Sequence, residues 1–135
     1  MKTKYKNLTI SSKFLGNKNW HEMDNDKYPN YNNHIIYIYN TDTKKRCSFE
    51  FWNSIVGGEI TDEMELLEAF NFFVSDAHIG ESSYENFIDE FGYDEESKYS
   101  KSVYKMCCKS LEQFNRVVGL EVCDVLNDLR ENYGL

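Results

Sequence analysis

Three segments in the first half of the chain have the composition and alternation of β-strands. They are residues 4–14, 34–39 and 47–52, where apolar residues recur at every second position or form a short β-branched and aromatic run. Turn residues at 40–45 join the last two segments into a hairpin. Residues 17–33 are rich in Asn and Asp and follow neither period, which predicts a long loop.

The second half changes to helical spacing, with apolar residues recurring every three or four positions. This spacing predicts four helices, over about residues 62–75, 82–91, 95–118 and 122–133. Residues 76–80 then form a connector between the first two helices. We expect Met64 to lie on the apolar face of the first helix, and Tyr99 and Cys107 on that of the third.

Polar residues and glycines mark the ends of these helices. Thr61 or Asp62 can cap the first helix, and the sequence Ser82–Glu85 is a capping-box pattern for the second. Gly92 stands where a left-handed residue ends a helix. Asp94 is placed to cap the third helix, which should stop at Gly119.

The order of strands followed by helices predicts an α+β fold. We expect a small antiparallel sheet of about three N-terminal strands packed against about four C-terminal helices. The chain of 135 residues fits a single domain, with a β region at residues 1–56 and a helical region at residues 61–135.

Composition indicates a folded protein of the cytoplasm. Hydrophobic residues make up 41% of the chain and aromatic residues 16%, which excludes bulk disorder. The chain has no apolar run of about 18 residues and no apolar core of a signal peptide near its N-terminus. The net charge of −8 argues against direct binding to duplex nucleic acid.

Charge is distributed unevenly along the chain. Residues 1–55 carry nine basic and five acidic residues, whereas residues 56–135 carry six basic and eighteen acidic ones. No Lys or Arg stands between Arg46 and Lys98, so the acidic side chains there create a field of one sign. They are the candidate partner-binding residues: Glu59, Asp62, Glu63, Glu65, Glu68, Asp76, Glu81, Glu85, Asp89, Glu90, Asp94, Glu95 and Glu96.

Two interpretations fit these carboxylates. Spread over a rigid surface, they would meet the Lys and Arg residues that normally contact phosphates, and so mimic nucleic acid. Alternatively, they are the solvated surface that keeps an acidic protein soluble.

Cysteine and histidine positions predict neither disulfides nor a metal site. Four Cys occur without a C-x-x-C pair, and the three His residues, His21, His34 and His78, stand in three different contexts. A Cys–His nucleophile would pair His78 with one of three thiols, those of Cys107, Cys108 and Cys123. We interpret Cys107 as core packing because it lies on an apolar stripe.

Catalytic motifs are absent, so we expect a binding protein without a cofactor and not an enzyme. No phosphate-loop, dinucleotide, nucleophile-elbow or HExxH pattern occurs. Gly57-Gly58-Glu59 follows a strand and precedes a helix, but its acidic residue does not suit a phosphate, so it predicts a turn.

A basic stripe runs along the third predicted helix at Lys98, Lys101, Lys105, Lys109 and Arg116. It is a solvated helix face, a contact with phosphates or a partner of the acidic segment. Together with the loop aromatics Trp20, Tyr28 and Tyr31, it motivates an alternative function, a module that binds a small ligand or nucleotide and sequesters a defence signal.

Residues 84–104 contain a recurring set of positions: Phe87, Glu90, Phe91-Gly92-Tyr93-Asp94, Ser97 and Tyr104. In this set the segment resembles one found in small, uncharacterised phage and prophage proteins, with weaker similarity at residues 48–52. We interpret the segment as a helix–glycine–helix corner. A phage origin implies a likeness, in size and charge, to acidic inhibitors of host defence nucleases, including anti-CRISPR proteins.

These observations give a first hypothesis. The chain is a phage-encoded acidic protein of the host cytoplasm that inhibits a nucleic-acid-handling defence complex, such as a CRISPR effector, by nucleic-acid mimicry. Its aromatic helices are also compatible with a homodimer seam.

Overall fold

A computed structural model describes residues 1–16, 33–53 and 58–135 of the chain. The described residues form an α+β fold in which four strands precede four helices. The strands are β1 (Lys2–Tyr5), β2 (Leu8–Phe14), β3 (His34–Asn40) and β4 (Arg46–Phe51); the helices are α1 (Glu63–Gly80), α2 (Tyr84–Phe91), α3 (Lys98–Gln113) and α4 (Val122–Tyr133). No helix among these residues is long and apolar enough to cross a membrane.

The four strands form one antiparallel sheet in chain order. The prediction of a single first strand over residues 4–14 is wrong, because Lys6 and Asn7 form a turn and Lys6 has a left-handed φ of 52°. Tyr5 and Leu8 then face each other across the β1–β2 hairpin. The sequence does contain a sign of this turn. The two buried residues are three positions apart, whereas residues on one face of a continuous strand are two apart. The predicted 34–39 and 47–52 hairpin is confirmed as β3–β4.

The chain divides into two compact units, Met1–Phe70 (unit 1) and Asn71–Leu135 (unit 2). The division falls inside α1, whereas the sequence placed the change of structure between residues 56 and 61. In unit 1, the ring of Tyr5 lies 5.4 Å from that of Phe70, so the first turns of α1 contribute to the same core as the sheet. Its fully buried apolar side chains are Tyr5, Leu8, Ile10, Ile36, Ile38, Ile60, Leu66, Ala69 and Phe70.

A buried polar network fixes the start of β3 in unit 1. The side chain of Asn33 accepts a hydrogen bond from Asn53 N at 2.9 Å and donates one to Asn53 O at 3.1 Å. Ile60 N donates to His34 Nε2 at 3.2 Å, so His34 is neutral, with the proton on Nδ1 facing Asn33 Oδ1 at 2.6 Å. Burial lowers the pKa of His34 below 6.5, although Glu59 and Glu65 oppose the shift.

Helix α1 continues five residues beyond the predicted end at Ser75, so the connector predicted at residues 76–80 is wrong. Phe73, Val74 and Ala77 continue the apolar spacing and are buried. At its start Asp62 is the cap, since Asp62 Oδ1 accepts a hydrogen bond from Glu65 N at 2.8 Å.

Helix α3 is capped by Ser97, and the prediction of Asp94 as its cap is wrong. Ser97 Oγ accepts a hydrogen bond from Tyr99 N at 3.1 Å. Asp94 Oδ1 instead accepts one from Glu96 N and so forms a local turn before the helix begins. The helix passes into a π-helical turn, Phe114–Val118, and Gly119 ends it in the left-handed conformation as expected.

Two predicted core residues are exposed. Tyr99 has 53% of its surface accessible and Met64 has 42%. Cys107, by contrast, is buried as predicted. The predicted loop at residues 17–33 lies almost wholly outside the described residues, as does Gly57 of the Gly57-Gly58-Glu59 turn.

Candidate functional site

The α2–α3 corner of unit 2 is built around one buried ring. Phe87 is 1% exposed, and four rings surround it, those of Tyr84, Phe91, Tyr93 and Tyr104, with centroids 5.3–6.2 Å away. Such aromatic contacts add about 0.5–1.5 kcal/mol per pair beyond the area they bury. The corner predicted from the sequence is therefore a packed aromatic cluster.

Hydrogen bonds close the corner at both ends. Ser83 caps α2 by accepting from Asn86 N at 3.2 Å, and Gly92 follows α2 with a left-handed φ of 67°. Tyr84 Oη donates to the carbonyl of Glu95 at 2.7 Å, and Tyr104 Oη donates to that of Ser82 at 2.6 Å. These bonds join α2, the following loop and α3, so the residues of the corner hold fixed positions.

The outer side of the cluster presents exposed rings among carboxylates. Phe91, Tyr93 and Tyr99 are 44%, 37% and 53% exposed, and the Tyr93 centroid lies 6.3 Å from that of Phe91 and 6.1 Å from that of Tyr99. We call this the aromatic–acidic surface; its exposed carboxylates, adjacent in sequence to the rings, are Asp89, Glu90, Asp94, Glu95 and Glu96.

This surface suits a cationic partner. Residues 84–97 contain six acidic residues and no Lys or Arg. An aromatic face attracts a guanidinium or ammonium group, and a carboxylate pairs with either one, most strongly with Arg in a bidentate geometry. The exposed rings add apolar area of the kind that marks interaction sites.

The thirteen predicted acidic residues divide between the two units. Glu59, Asp62, Glu63, Glu65 and Glu68 belong to unit 1, and the other eight belong to unit 2. Two of the unit 1 residues have structural roles at the start of α1, because Asp62 caps the helix and Glu65 Oε2 accepts from Thr61 N at 3.1 Å. The remaining three are exposed.

Asp76 differs from the other acidic residues of unit 2. Its side chain is half-buried, and burial raises its pKa from 3.8 to about 6. No described Lys or Arg side chain pairs with it. Its neighbour Cys107 has a thiol whose pKa is raised to about 12, chiefly by burial and then by the charge of Asp76, so this thiol is unreactive. Asp76 is therefore not part of an exposed binding surface.

A second constellation joins the end of α1 to the start of α4 in unit 2. His78 Nδ1 lies 3.2 Å from Glu81 Oε1 and 3.9 Å from Cys123 Sγ. One ligand atom from each of these three residues lies within 4.8 Å of the others, and all three residues are exposed. The expectation that His78 stands apart is wrong. Of the three thiols weighed as partners for His78, the described contact is with Cys123.

The sequence missed this cluster because Cys123 lies 45 residues from His78. A signal did exist within α1 and the turn after it, where His78 and Glu81 have the i, i+3 spacing that places two side chains on one helix face. Because the sequence predicts a connector at residues 76–80, this helical spacing did not indicate a site.

The outer face of the sheet forms an open depression of about 620 Å³ in unit 1. It is lined by Lys2, Thr9, Ser11, Tyr37, Ile38, Tyr39, Arg46, Cys47 and Ser48. Arg46 lies over the ring of Tyr39, 5.3 Å from its centroid, and Tyr37 is 40% exposed. Basic and aromatic side chains on a sheet face can hold an anionic ligand that carries a ring.

The remaining predicted contacts are placed only in part. The stripe Lys98, Lys101, Lys105, Lys109 and Arg116 is exposed. The loop aromatics Trp20, Tyr28 and Tyr31 lie outside the residues that the structure describes.

Compared with known proteins, the chain matches no family model, no curated protein and no solved structure.

Proposed function

We propose that this protein is a non-catalytic binding protein whose aromatic–acidic surface docks on a basic, nucleic-acid-binding face of a protein partner. The observation that carries the proposal is the set of exposed rings, Phe91, Tyr93 and Tyr99, held together by a packed corner and bordered by carboxylates. Exposed aromatic anchors at the centre of a polar surface are the usual composition of an interface hot spot.

Rigidity supports this proposal. The Tyr84 and Tyr104 hydroxyls and the buried ring of Phe87 fix the corner before any partner arrives. A preorganised surface loses less conformational entropy on binding than a flexible acidic segment does. The carboxylates would then occupy the Lys and Arg residues that otherwise contact phosphates.

The resemblance of residues 84–104 to phage proteins adds a further element to the proposal. It implies that the partner is a host defence complex that handles nucleic acid, such as a CRISPR effector, and that the protein acts in the host cytoplasm as an inhibitor. In this reading the corner motif defines the fold, and its outer side is the contact site.

Competition against nucleic acid tests the proposal. Tagged protein is immobilised, proteins are captured from a nuclease-treated bacterial lysate, and the captured protein is purified and titrated with its own nucleic acid. We expect the nucleic acid and this protein to exclude each other. Simultaneous binding of both would contradict mimicry.

Variants localise the contact. Glu90→Lys and Tyr99→Ala should each weaken the complex by about tenfold or more, because each removes a contact at the proposed centre. Glu131→Lys is the matched control, since it makes the same charge change at an exposed site on α4. Equal losses for Glu90→Lys and Glu131→Lys would mean that net charge alone binds the partner and that the surface is not the site.

A second candidate function rests on the sheet depression of unit 1. It is a module that binds a nucleotide-like anion and sequesters a signal, with Arg46 and Lys2 holding the phosphate and Tyr37 the ring. A thermal-shift screen of nucleotides checks this candidate, because a ligand that binds only the folded state raises its stability. Arg46→Ala should abolish the shift, and the turn variant Lys45→Ala should retain it.

A further inference from the structure

We propose that His78, Glu81 and Cys123 form a zinc-binding site on the surface of unit 2, independent of the aromatic–acidic surface. The three side chains supply one imidazole nitrogen, one carboxylate oxygen and one sulfur, all within 4.8 Å of one another. This mixed set of donors is typical of Zn²⁺, whereas Mg²⁺ and Ca²⁺ prefer oxygen donors alone.

The two donor distances from His78 are close to those of tetrahedral coordination. Zinc bonds of about 2.0–2.1 Å to nitrogen or oxygen and about 2.3 Å to sulfur place a nitrogen and an oxygen ligand about 3.3 Å apart, and a nitrogen and a sulfur ligand about 3.6 Å apart. The observed distances from His78 Nδ1 are 3.2 Å to Glu81 Oε1 and 3.9 Å to Cys123 Sγ. Small rotations of exposed side chains are enough to bind the ion.

The backbone that carries these donors is held by close helix packing. Gly80 lies between His78 and Glu81 in the chain, and a Cβ built on it would be 2.5 Å from the carbonyl oxygen of Cys107. The absence of a side chain thus allows the end of α1 to approach α3. Cys123 is the second residue of α4, so the start of that helix sets the position of its thiol.

Zinc binding releases one proton to solvent. Zn²⁺ replaces the proton of the Cys123 thiol, which leaves to solvent, and the imidazole of His78 and the carboxylate of Glu81 complete three protein ligands. A water molecule or a donor from a partner takes the fourth position. Because the ion connects the turn after α1 to the start of α4, it stabilises the folded chain in proportion to its occupancy.

Cobalt titration of the full chain under reducing conditions tests the site. Co²⁺ occupies zinc sites and reports a thiolate ligand by a charge-transfer absorption and a tetrahedral site by intense visible bands. We expect one Co²⁺ per chain with both signatures, and loss of both when Zn²⁺ is added. Absence of the charge-transfer absorption would overturn the proposal.

Variants assign the ligands. Cys123→Ser should remove the charge-transfer absorption, and His78→Ala should weaken cobalt binding by at least about tenfold. Cys108→Ser is the matched control, because it removes a half-buried thiol outside the cluster and should leave the spectrum unchanged. A spectrum that survives Cys123→Ser, or that is lost in Cys108→Ser, would place the metal elsewhere and refute this assignment.

Discussion

At the scale of single residues, the same type of side chain performs different tasks according to its surroundings. Asp62 caps a helix, Asp94 closes a local turn and Asp89 is exposed to solvent. Asp76 is half-buried, and burial raises its pKa to about 6. The sequence does not distinguish these four carboxylates, because the role of each depends on the turn that its neighbours form or on burial by distant residues.

Asp76 gives a prediction about stability and pH. Its pKa is 3.8 in the unfolded chain and about 6 in the folded one, so the folded chain binds the additional proton between these values. The free energy of unfolding should therefore fall as pH rises through this window. At pH 7 the buried charge is a cost, and Asp76→Asn should raise stability by up to about 3 kcal/mol, since one pKa unit corresponds to about 1.4 kcal/mol.

Urea denaturation at two pH values checks this prediction. The gain for Asp76→Asn should be present at pH 7 and absent below about pH 4, where the carboxyl of the wild type is already protonated. Asp89→Asn is the control on an exposed site and should change stability by less than about 0.5 kcal/mol at either pH. An equal effect of Asp76→Asn at both pH values would show that its charge is not responsible.

At the scale of elements, helix ends were harder to predict than helix centres. The apolar spacing of α3 and α4 predicted both helices, but Ser97 caps α3 three residues after the predicted Asp94, and α1 runs to Gly80. Both polar residues can cap a helix, but Asp94 Oδ1 accepts from Glu96 N, whereas Ser97 Oγ accepts from Tyr99 N and Ser100 N in the first turn of α3. Glycine also has different roles at two helix ends. Gly119 ends the π-helical turn that follows α3, whereas Gly80 is the last helical residue of α1, where close packing leaves no room for a side chain.

Gly80→Ala should destabilise the protein, although Ala usually favours a helix. The added Cβ would be 2.5 Å from the carbonyl oxygen of Cys107 and 3.1 Å from Leu111 Cβ, so the backbone of α1 or α3 must move. We expect a loss of about 1–3 kcal/mol, typical of overpacking, measured by denaturant unfolding. Ser102→Ala, on the exposed face of α3, should stay within about 0.5 kcal/mol of the wild type. Increased stability of Gly80→Ala would refute the close packing.

At the scale of the whole molecule, the uneven charge is the dominant property. Unit 1 contains nine basic and ten acidic residues, and unit 2 contains six basic and thirteen acidic ones, so unit 2 carries −7 of the net −8. Attraction between unit 2 and a basic partner then acts over a longer range than its direct contacts.

The proposed complex should weaken with salt. The Debye length falls from about 10 Å at 0.1 M salt to about 3 Å at 1 M, so the long-range part of the attraction disappears over this range. We expect the association rate of the purified partner to fall by at least about tenfold, measured by surface plasmon resonance. The Glu131→Lys variant should keep most of this salt dependence of the association rate. The Glu90→Lys variant should show a weaker salt dependence than Glu131→Lys. A rate that does not change with salt would exclude an electrostatic mechanism.

The sequence by itself determined the order and type of the elements, except for the division of the first predicted strand into β1 and β2. Alternation at β3 and β4 and helical spacing at α1 to α4 are local properties, because burial of one face imposes them on neighbouring residues. The same holds for Gly92, whose left-handed turn needs no distant partner. The acidic character of residues 59–96 is also fixed by composition alone.

Only the tertiary structure decided which of these residues work together. It brought His78 to Cys123 across 45 positions, partly buried Asp76 and left Tyr99 exposed at the edge of the aromatic corner. The physical reason is that periodicity reports which face of an element is apolar, whereas exposure and proximity depend on how elements pack against each other. Charge and aromatic content were therefore evident in the sequence, whereas the exposure of the Tyr99 ring and the approach of His78 to Cys123 were not.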